Sequence, residues 1–251
     1  VDGNIFTTTV GMFFLSIGIS DANPANEVFS TKWLERSISN QEGQQGLGRR
    51  IYIPYQTSCS IVFNTVNTCT VDIYTQVEFY KGAPLPGLHS LNRRVFHMAT
   101  TEWRDSVGLT PYQQIQLLPT AVIGPGILEH WHVAGSCNAT GIGNAPGWLE
   151  ANPTVSFDGT SFGAGGTEDF FGTQYYGTDL QPKADEFSFS LFTSGKTGLT
   201  YTLLARHFDQ FPLPFTTSLG PVTWANGQGG QGITPLPSMK CGMQIVWYTA
   251  T

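Results

Sequence analysis

The amino-acid sequence predicts an all-β protein of the sandwich or jelly-roll type, and three observations carry that expectation. Apolar and polar residues alternate with period 2 over many short segments, those segments are rich in Val, Ile, Thr, Tyr and Phe, and Gly, Pro or Asn bounds most of them. Many short strands separated by long decorated loops are the pattern of two packed antiparallel sheets. Taken along the chain, Ala25–Ser39 reads as the one helical stretch, because Glu27, Lys32, Glu35 and Arg36 are interleaved with apolar residues. Ser60–Phe63 and Val71–Phe79 alternate as strands, and Pro111–Leu118 reads as either a strand or an irregular connector. Thr154–Phe157, Glu186–Phe192, Leu199–Ala205 and Met243–Tyr248 complete the predicted strands.

Composition narrows the class of function. At 251 residues the chain is long enough for one large domain or two ordinary ones. Only 12% of residues are charged and the net charge is −6, which argues against nucleic acid, whose binding depends on basic contacts to phosphate. A weakly charged surface rich in Ser, Thr, Asn, Gln and Gly suits sugar contacts, and equally suits packing into a large assembly, where exposed charge would have to be desolvated. The apolar run Val10–Ile19 is interrupted by Gly11, Ser16 and Gly18 and is far shorter than the ~20 residues that span a bilayer, so no membrane partner is expected. It also lacks a basic region before it, so it makes a poor signal peptide, although a mature secreted chain would read the same way. Cys59 and Cys69 flank a candidate hairpin and either pair as a cross-strand disulfide or remain buried thiols. No Cys/His spacing points to zinc, nothing indicates a cofactor, and Asn138-Ala139-Thr140 is the single glycosylation sequon.

Residues 147–172 carry the most chemical information. Glu150 immediately precedes an alternating run, Pro153–Phe157; the Asp158-Gly159 turn and a glycine-rich loop follow; and Glu168 stands in Gly-Gly-Thr-Glu-Asp-Phe-Phe-Gly. Glycine brings backbone close to a ligand because it has no Cβ. Two carboxylates at the two ends of one strand–loop unit are what glycoside hydrolysis requires. As an ordinary polar turn, the same Gly-Thr-Glu-Asp would use its acidic side chains to accept backbone N–H bonds.

Gly-Thr-Glu-Asp-Phe-Phe-Gly resembles the Gly-Thr-Glu-Asp-Tyr-Phe-Gly signature of the DUF2961 proteins, which include glycoside hydrolase family 172. Trp148-Leu149-Glu150, eight residues before Asp158-Gly159, is similar to that family's Trp-x-Glu segment. Phe96-His97-Met98-Ala99 with Trp103-Arg104 resembles its Phe-His-Ala-x-Trp-Arg, Val10-Gly11-Met12-Phe13-Phe14 its Val-Gly-Asp-Phe-Phe, Arg50–Tyr55 its Tyr-Phe-Pro-Met-Pro-Phe, and Tyr74–Glu78 its Tyr-Tyr-Gln-Ile-Asp. The family's Ile-Glu-His-Gly stands here as Trp224-Ala225-Asn226-Gly227.

The resemblance implies two side-by-side jelly rolls, the first (1–118) incomplete at its N-terminus because Val1-Asp2-Gly3 resembles a point inside it, and the second (119–251) carrying both glutamates. It implies a retaining hydrolase of furanosides (fructofuranoside or D-arabinofuranoside type), with Glu150 as nucleophile and Glu168 as acid/base. Trp148, Trp103 and Phe170 are then candidate sugar-stacking walls, His97 and Arg104 candidate hydroxyl or carboxylate partners, and Asp169 a candidate substrate-binding residue. An incomplete roll exposes a strand edge that invites pairing, so a homo-oligomer, specifically a trimer, is expected. An extracellular or periplasmic setting fits an enzyme of this kind. The competing expectation is a structural subunit of a viral capsid or extracellular assembly, since paired jelly rolls also build such shells and fold alone does not settle function.

Overall fold

The computed structural model describes residues 1–8, 13, 27–30, 34–38, 45–64, 76–78, 94–106, 114–137, 151–163, 166, 183–184, 188–194, 200–207, 213–225 and 239–250. Every element among them is a strand, and every pairing is antiparallel, so the described part of the protein is all-β. No described helix is long and apolar enough to cross a membrane.

Three short strands, β1 (Glu27–Ser30), β2 (Leu34–Ile38) and β3 (Gln45–Arg49), form a meander in which Phe29 faces Arg36 and Arg36 faces Leu47 in register. This corrects the helix expected over 25–39. Val28, Phe29, Thr31 and Ile38 are β-branched or aromatic and lose rotamer freedom in a helix, and pairing two ways across β2 outweighs a weak helical charge pattern.

The remaining strands are β4 (Arg94–Ser106), β5 (Gln114–Leu118), β6 (Val122–Ile123), β7 (Gly126–Cys137), β8 (Asn152–Phe157), β9 (Thr160–Gly163), β10 (Lys183–Ala184), β11 (Ser188–Ser194), β12 (Thr200–His207), β13 (Leu213–Phe215), β14 (Ser218–Ala225) and β15 (Met239–Ala250). One sheet runs β10-β11-β12-β7-β15-β4, with β13 continuing along β7 beyond β12; the other runs β5-β14-β8-β9, with β6 also on β14. The strands on either side of residue 118 therefore share sheets: β4 pairs with β15, and β5 with β14. In β14 the register shifts between Leu219 and Val222, where Gly220 takes a φ of 102° and Pro221 has no N–H to give the ladder.

Alternation decides which residues make the core. Leu128, Trp131 and Val133 of β7 and Met243, Ile245 and Trp247 of β15 meet Val155, Leu219, Val222 and Trp224 of the other sheet in one buried cluster. The two sheets thus pack across a shared core, with Trp131 and Trp224 its largest fully buried side chains. The intervening β15 residues, Val246 and Tyr248, point to the opposite face with Phe96, where Val1, Phe6, Ile51, Tyr52 and Ile53 cover them. At one end of β7 the chain passes so close to Phe215 and to the Tyr248 carbonyl that a Cβ on Gly126 would overlap both. Gly126→Ala is expected to cost about 1–3 kcal/mol by overpacking, read as a lower urea midpoint with unchanged slope.

Two further expectations are corrected. Residues 58–64 and 76–78 form no strand, and Ile61, Val62, Phe63 and Val77 are exposed, because alternation makes a strand only where a partner is in reach; residues 71–75 and 79 of the expected Val71–Phe79 strand lie outside the described residues. Cys59 is an exposed free thiol, neither disulfide-bonded nor buried. Cys69 lies outside the described residues.

Candidate functional site

Residues 152–163, within the segment singled out in the sequence, form a tight hairpin. β8 pairs with β9 from Phe157↔Thr160 to Thr154↔Gly163, leaving Asp158 and Gly159 as a two-residue connection. Both take positive φ, 51° and 80°, the requirement of a type I′ turn that Asp-Gly meets at low cost. Asp158 does more than turn the chain. Its carboxylate accepts from the backbone N–H groups of Thr216 (3.0 Å), Thr217 (2.7 Å) and Ser218 (2.9 Å), and from both threonine hydroxyls. These bonds, Ser218's foremost, hold its pKa well below the ordinary carboxylate range. A carboxylate with a depressed folded pKa stabilises the fold above about pH 4 and loses that contribution as pH falls. Asp158→Ala should therefore lower the melting temperature at pH 7, with the difference from the wild type shrinking as the pH is brought below the carboxylate range.

The hairpin governs where the candidate carboxylates attach to the fold. Glu150 is joined directly to Ala151, which is completely buried at the start of β8. Glu168 is two residues beyond Gly166, which is buried as well. Because Thr154 faces Gly163, the two segments leave the hairpin at the same end, opposite the Asp158-Gly159 turn. Glu150, Glu168, Trp148, Asp169 and Phe170 themselves lie outside the described residues. At this end Pro153 is opposite the buried Trp224, and the Oδ1 of Asn152 is buried with no hydrogen-bond partner.

His97, Trp103 and Arg104 all belong to β4. His97 is half-buried; its ring stacks on Trp247 at 5.2 Å and its Nε2 is 2.8 Å from the Thr249 hydroxyl. Burial lowers its pKa, so the ring is neutral at pH 7. Arg104 is opposite Cys241, and the register slips just beyond, between Cys241 and Met243, next to Trp103.

A second group of polar residues, which the sequence reading did not single out, occupies the outer face of the larger sheet. Opposite β15 the register of β7 shifts so that Val246 pairs with His130 and Trp247 with Leu128, leaving Glu129 as an extra residue. The bulge re-aims the strand. Trp131 and Val133 stay in the core, while Glu129 and His130, though adjacent in sequence, gather on the outer face beside His132. All three are buried.

Arg49, at the end of β3, reaches into this group. Its Nη1 donates to the Phe13 carbonyl at 2.5 Å and to the Gln244 side chain, and its Nη2 is 3.0 Å from His130 Nε2. His130 Nδ1 lies 3.5 Å from a Glu129 oxygen, and the His130 and His132 rings stack at 4.7 Å. Burial pulls the Arg49 guanidinium down to about 10, against the opposing pull of Glu129, so it remains charged at neutral pH. Tyr248 donates to the Tyr52 carbonyl at 2.6 Å; burial first, then the charge of Glu129 and a hydrogen bond to it, raise its pKa well above normal.

The Arg49 guanidinium, which can only donate, lies against His130 Nε2, so this pair presents hydrogen-bonding chemistry rather than a cation cradle. Among the described residues no three His, Cys, Asp or Glu side chains converge as a metal-binding set. The sequence signal that marks the group is Glu129-His130-Trp131-His132 inside an otherwise apolar strand. No known family model matches the chain and no curated protein matches it, so the likeness to the DUF2961 proteins rests on the short motifs quoted above.

Proposed function

We propose that the protein is a retaining glycoside hydrolase of furanosides, built on a jelly roll, in which Glu150 attacks the anomeric carbon and Glu168 protonates the leaving oxygen. The observation that carries this reading is the β8–β9 hairpin. It joins the segments bearing the two glutamates to one end of a single rigid element, with buried residues beside both. Carboxyl groups ~5–5.5 Å apart would give retention through a covalent glycosyl-enzyme, which water then hydrolyses with Glu168 as base. Trp148, Phe170 and Trp103 supply stacking faces in this scheme, and Asp169, His97 and Arg104 hydroxyl contacts. No cofactor takes part.

The strand order supports the jelly roll. If β4, β5, β7, β8, β9, β12, β14 and β15 are counted one to eight, sheet neighbours run 6-3-8-1 in one sheet and 2-7-4-5 in the other. That is the order of an antiparallel ribbon wound into two facing sheets. In this count β4 and β5, which precede residue 119, join β7–β15 in one roll, and β1–β3 stand outside it.

Trapping tests the chemistry. Acid-quenched protein incubated with an activated fluoro-furanoside should carry one glycosyl group, and peptide fragmentation should place it on Glu150. An adduct on Glu168, or turnover with inversion of configuration, would sink the assignment.

A second reading is a subunit of a capsid-like or extracellular assembly. The same strand order and the exposed run Ile61-Val62-Phe63 favour it. Both readings propose a homotrimer, which light scattering of the purified chain checks; a monodisperse monomer would rule it out.

A further inference from the structure

We propose that His130 is an acid-sensitive latch: protonation of its ring exchanges the partner of Glu129 and releases the cover formed by residues 1–8 and 49–54 from the outer face of the larger sheet.

The geometry of the group requires a neutral ring. Nε2 of His130 can accept from the Arg49 guanidinium only while it carries no proton, which leaves the proton on Nδ1, the nitrogen turned toward Glu129. A second proton would set N–H against N–H at 3.0 Å and place an imidazolium beside a guanidinium. The imidazolium has an alternative, because Glu129 is 3.5 Å from its Nδ1. It takes that carboxylate for itself, and Arg49 loses both its acceptor on His130 and the nearby negative charge.

Arg49 is also what ties the cover down. It bridges the Phe13 carbonyl to Gln244 of β15, and Gln244 in turn reaches the hydroxyls of Thr8 (3.4 Å) and Thr100 (3.2 Å). A further polar tie is Tyr248 to Tyr52. The rest of the cover is held by Phe6 edge-on to Phe96 and by Ile51 and Ile53. A shallow cavity of about 300 Å³ lies at its margin, lined by Asp2, Asn4, Tyr55, Gln56 and Arg94 among others, and would open as the cover lifts.

Two of the other titratable groups do not act in the same range. Tyr248 keeps its proton throughout and Arg49 its charge. From the neighbouring elements, β7 adds His132, the cover adds Tyr52, and β12 sets His207 opposite His130 and Arg206 opposite Trp131 in register. A histidine in an unfolded chain takes up its proton near pH ~6.5. A fold that needs the ring neutral has its full stability above that pH and loses it as the pH falls.

Hydrogen–deuterium exchange of the full chain, corrected for intrinsic rates and run from pH 7.5 to 5.0, tests the latch. The expected result is a loss of protection by roughly tenfold or more at residues 1–8 and 49–54, with β8 and β14 unchanged. His130→Gln, whose side-chain oxygen can still accept from Arg49 but does not titrate, should hold the cover protected across the range. Glu129→Gln removes the alternative partner and should move the release to a different pH. Unchanged protection of residues 49–54 in the wild type at pH 5.0 would overturn the proposal without any variant. So would loss of β8 and β14 together with the cover, or an acid release that persists in a folded His130→Gln protein.

Discussion

Replacing Arg49 by methionine is expected to lower the stability of the protein by about 3–5 kcal/mol, the usual result of removing one member of a buried ionic group. The reason is what it leaves behind. Glu129 and His130 are almost wholly buried, and without the guanidinium the carboxylate loses its counter-charge, while Gln244 and the Phe13 carbonyl lose a donor. Methionine keeps most of the apolar stem, so the loss reports the charge and its hydrogen bonds rather than a cavity. Arg49→Lys should fall between the two, since one ammonium cannot reach Gln244 and His130 with the spacing of a planar fork. Urea unfolding of the three proteins at pH 7.5 measures this. A loss below about 1 kcal/mol for the methionine variant would mean that the Arg49 group is surface decoration.

The largest effect on activity is expected at the two glutamates. Glu150→Gln should abolish hydrolysis of every furanoside, because an amide cannot form the glycosyl ester. Glu168→Gln should slow hydrolysis by ~10²–10⁴-fold, the typical contribution of a general acid–base group. Its defect should depend on the leaving group: small in the first step for an activated aryloxide, which departs without a proton, and large for an alkyl furanoside. Azide, which needs no general base, should restore turnover to Glu168→Gln with release of the glycosyl azide. Equal defects across all leaving groups would assign Glu168 a structural role.

Part of the β8–β9 hairpin was legible in the sequence. Alternation over 154–157 marks β8 and the Asp158-Gly159 dipeptide marks the turn, whereas β9 (Thr160–Gly163) lies where the sequence reads as a glycine-rich loop. The alternating segments at 186–192, 199–205 and 243–248 likewise became β11, β12 and β15, and the inward residues of β15 supply part of the core. The run at 60–63 alternates as well, yet it has no strand partner, and pairing is a property of the fold rather than of the segment.

The Glu129 bulge was hidden for a related reason. Strict alternation from Leu128 places His130 on the core face with Leu128; only an inserted residue lets His130 join Glu129 on the outer face. Arg49 was invisible too, since its partners His130 and Gln244 are 81 and 195 positions away. The Asp158 acceptor site shows the same limit: the turn was readable, but its three backbone donors come from the start of β14.

The most direct test of the central claim is hydrolysis of aryl fructo- and arabinofuranosides by the wild-type protein, beside Glu150→Gln and Glu168→Gln variants matched for folding. A paired-carboxylate hydrolase predicts turnover of at least one furanoside by the wild type and its loss in both variants. No turnover of any furanoside by a wild-type chain that sediments as a large ordered assembly would contradict it, and would identify the chain as a building block instead.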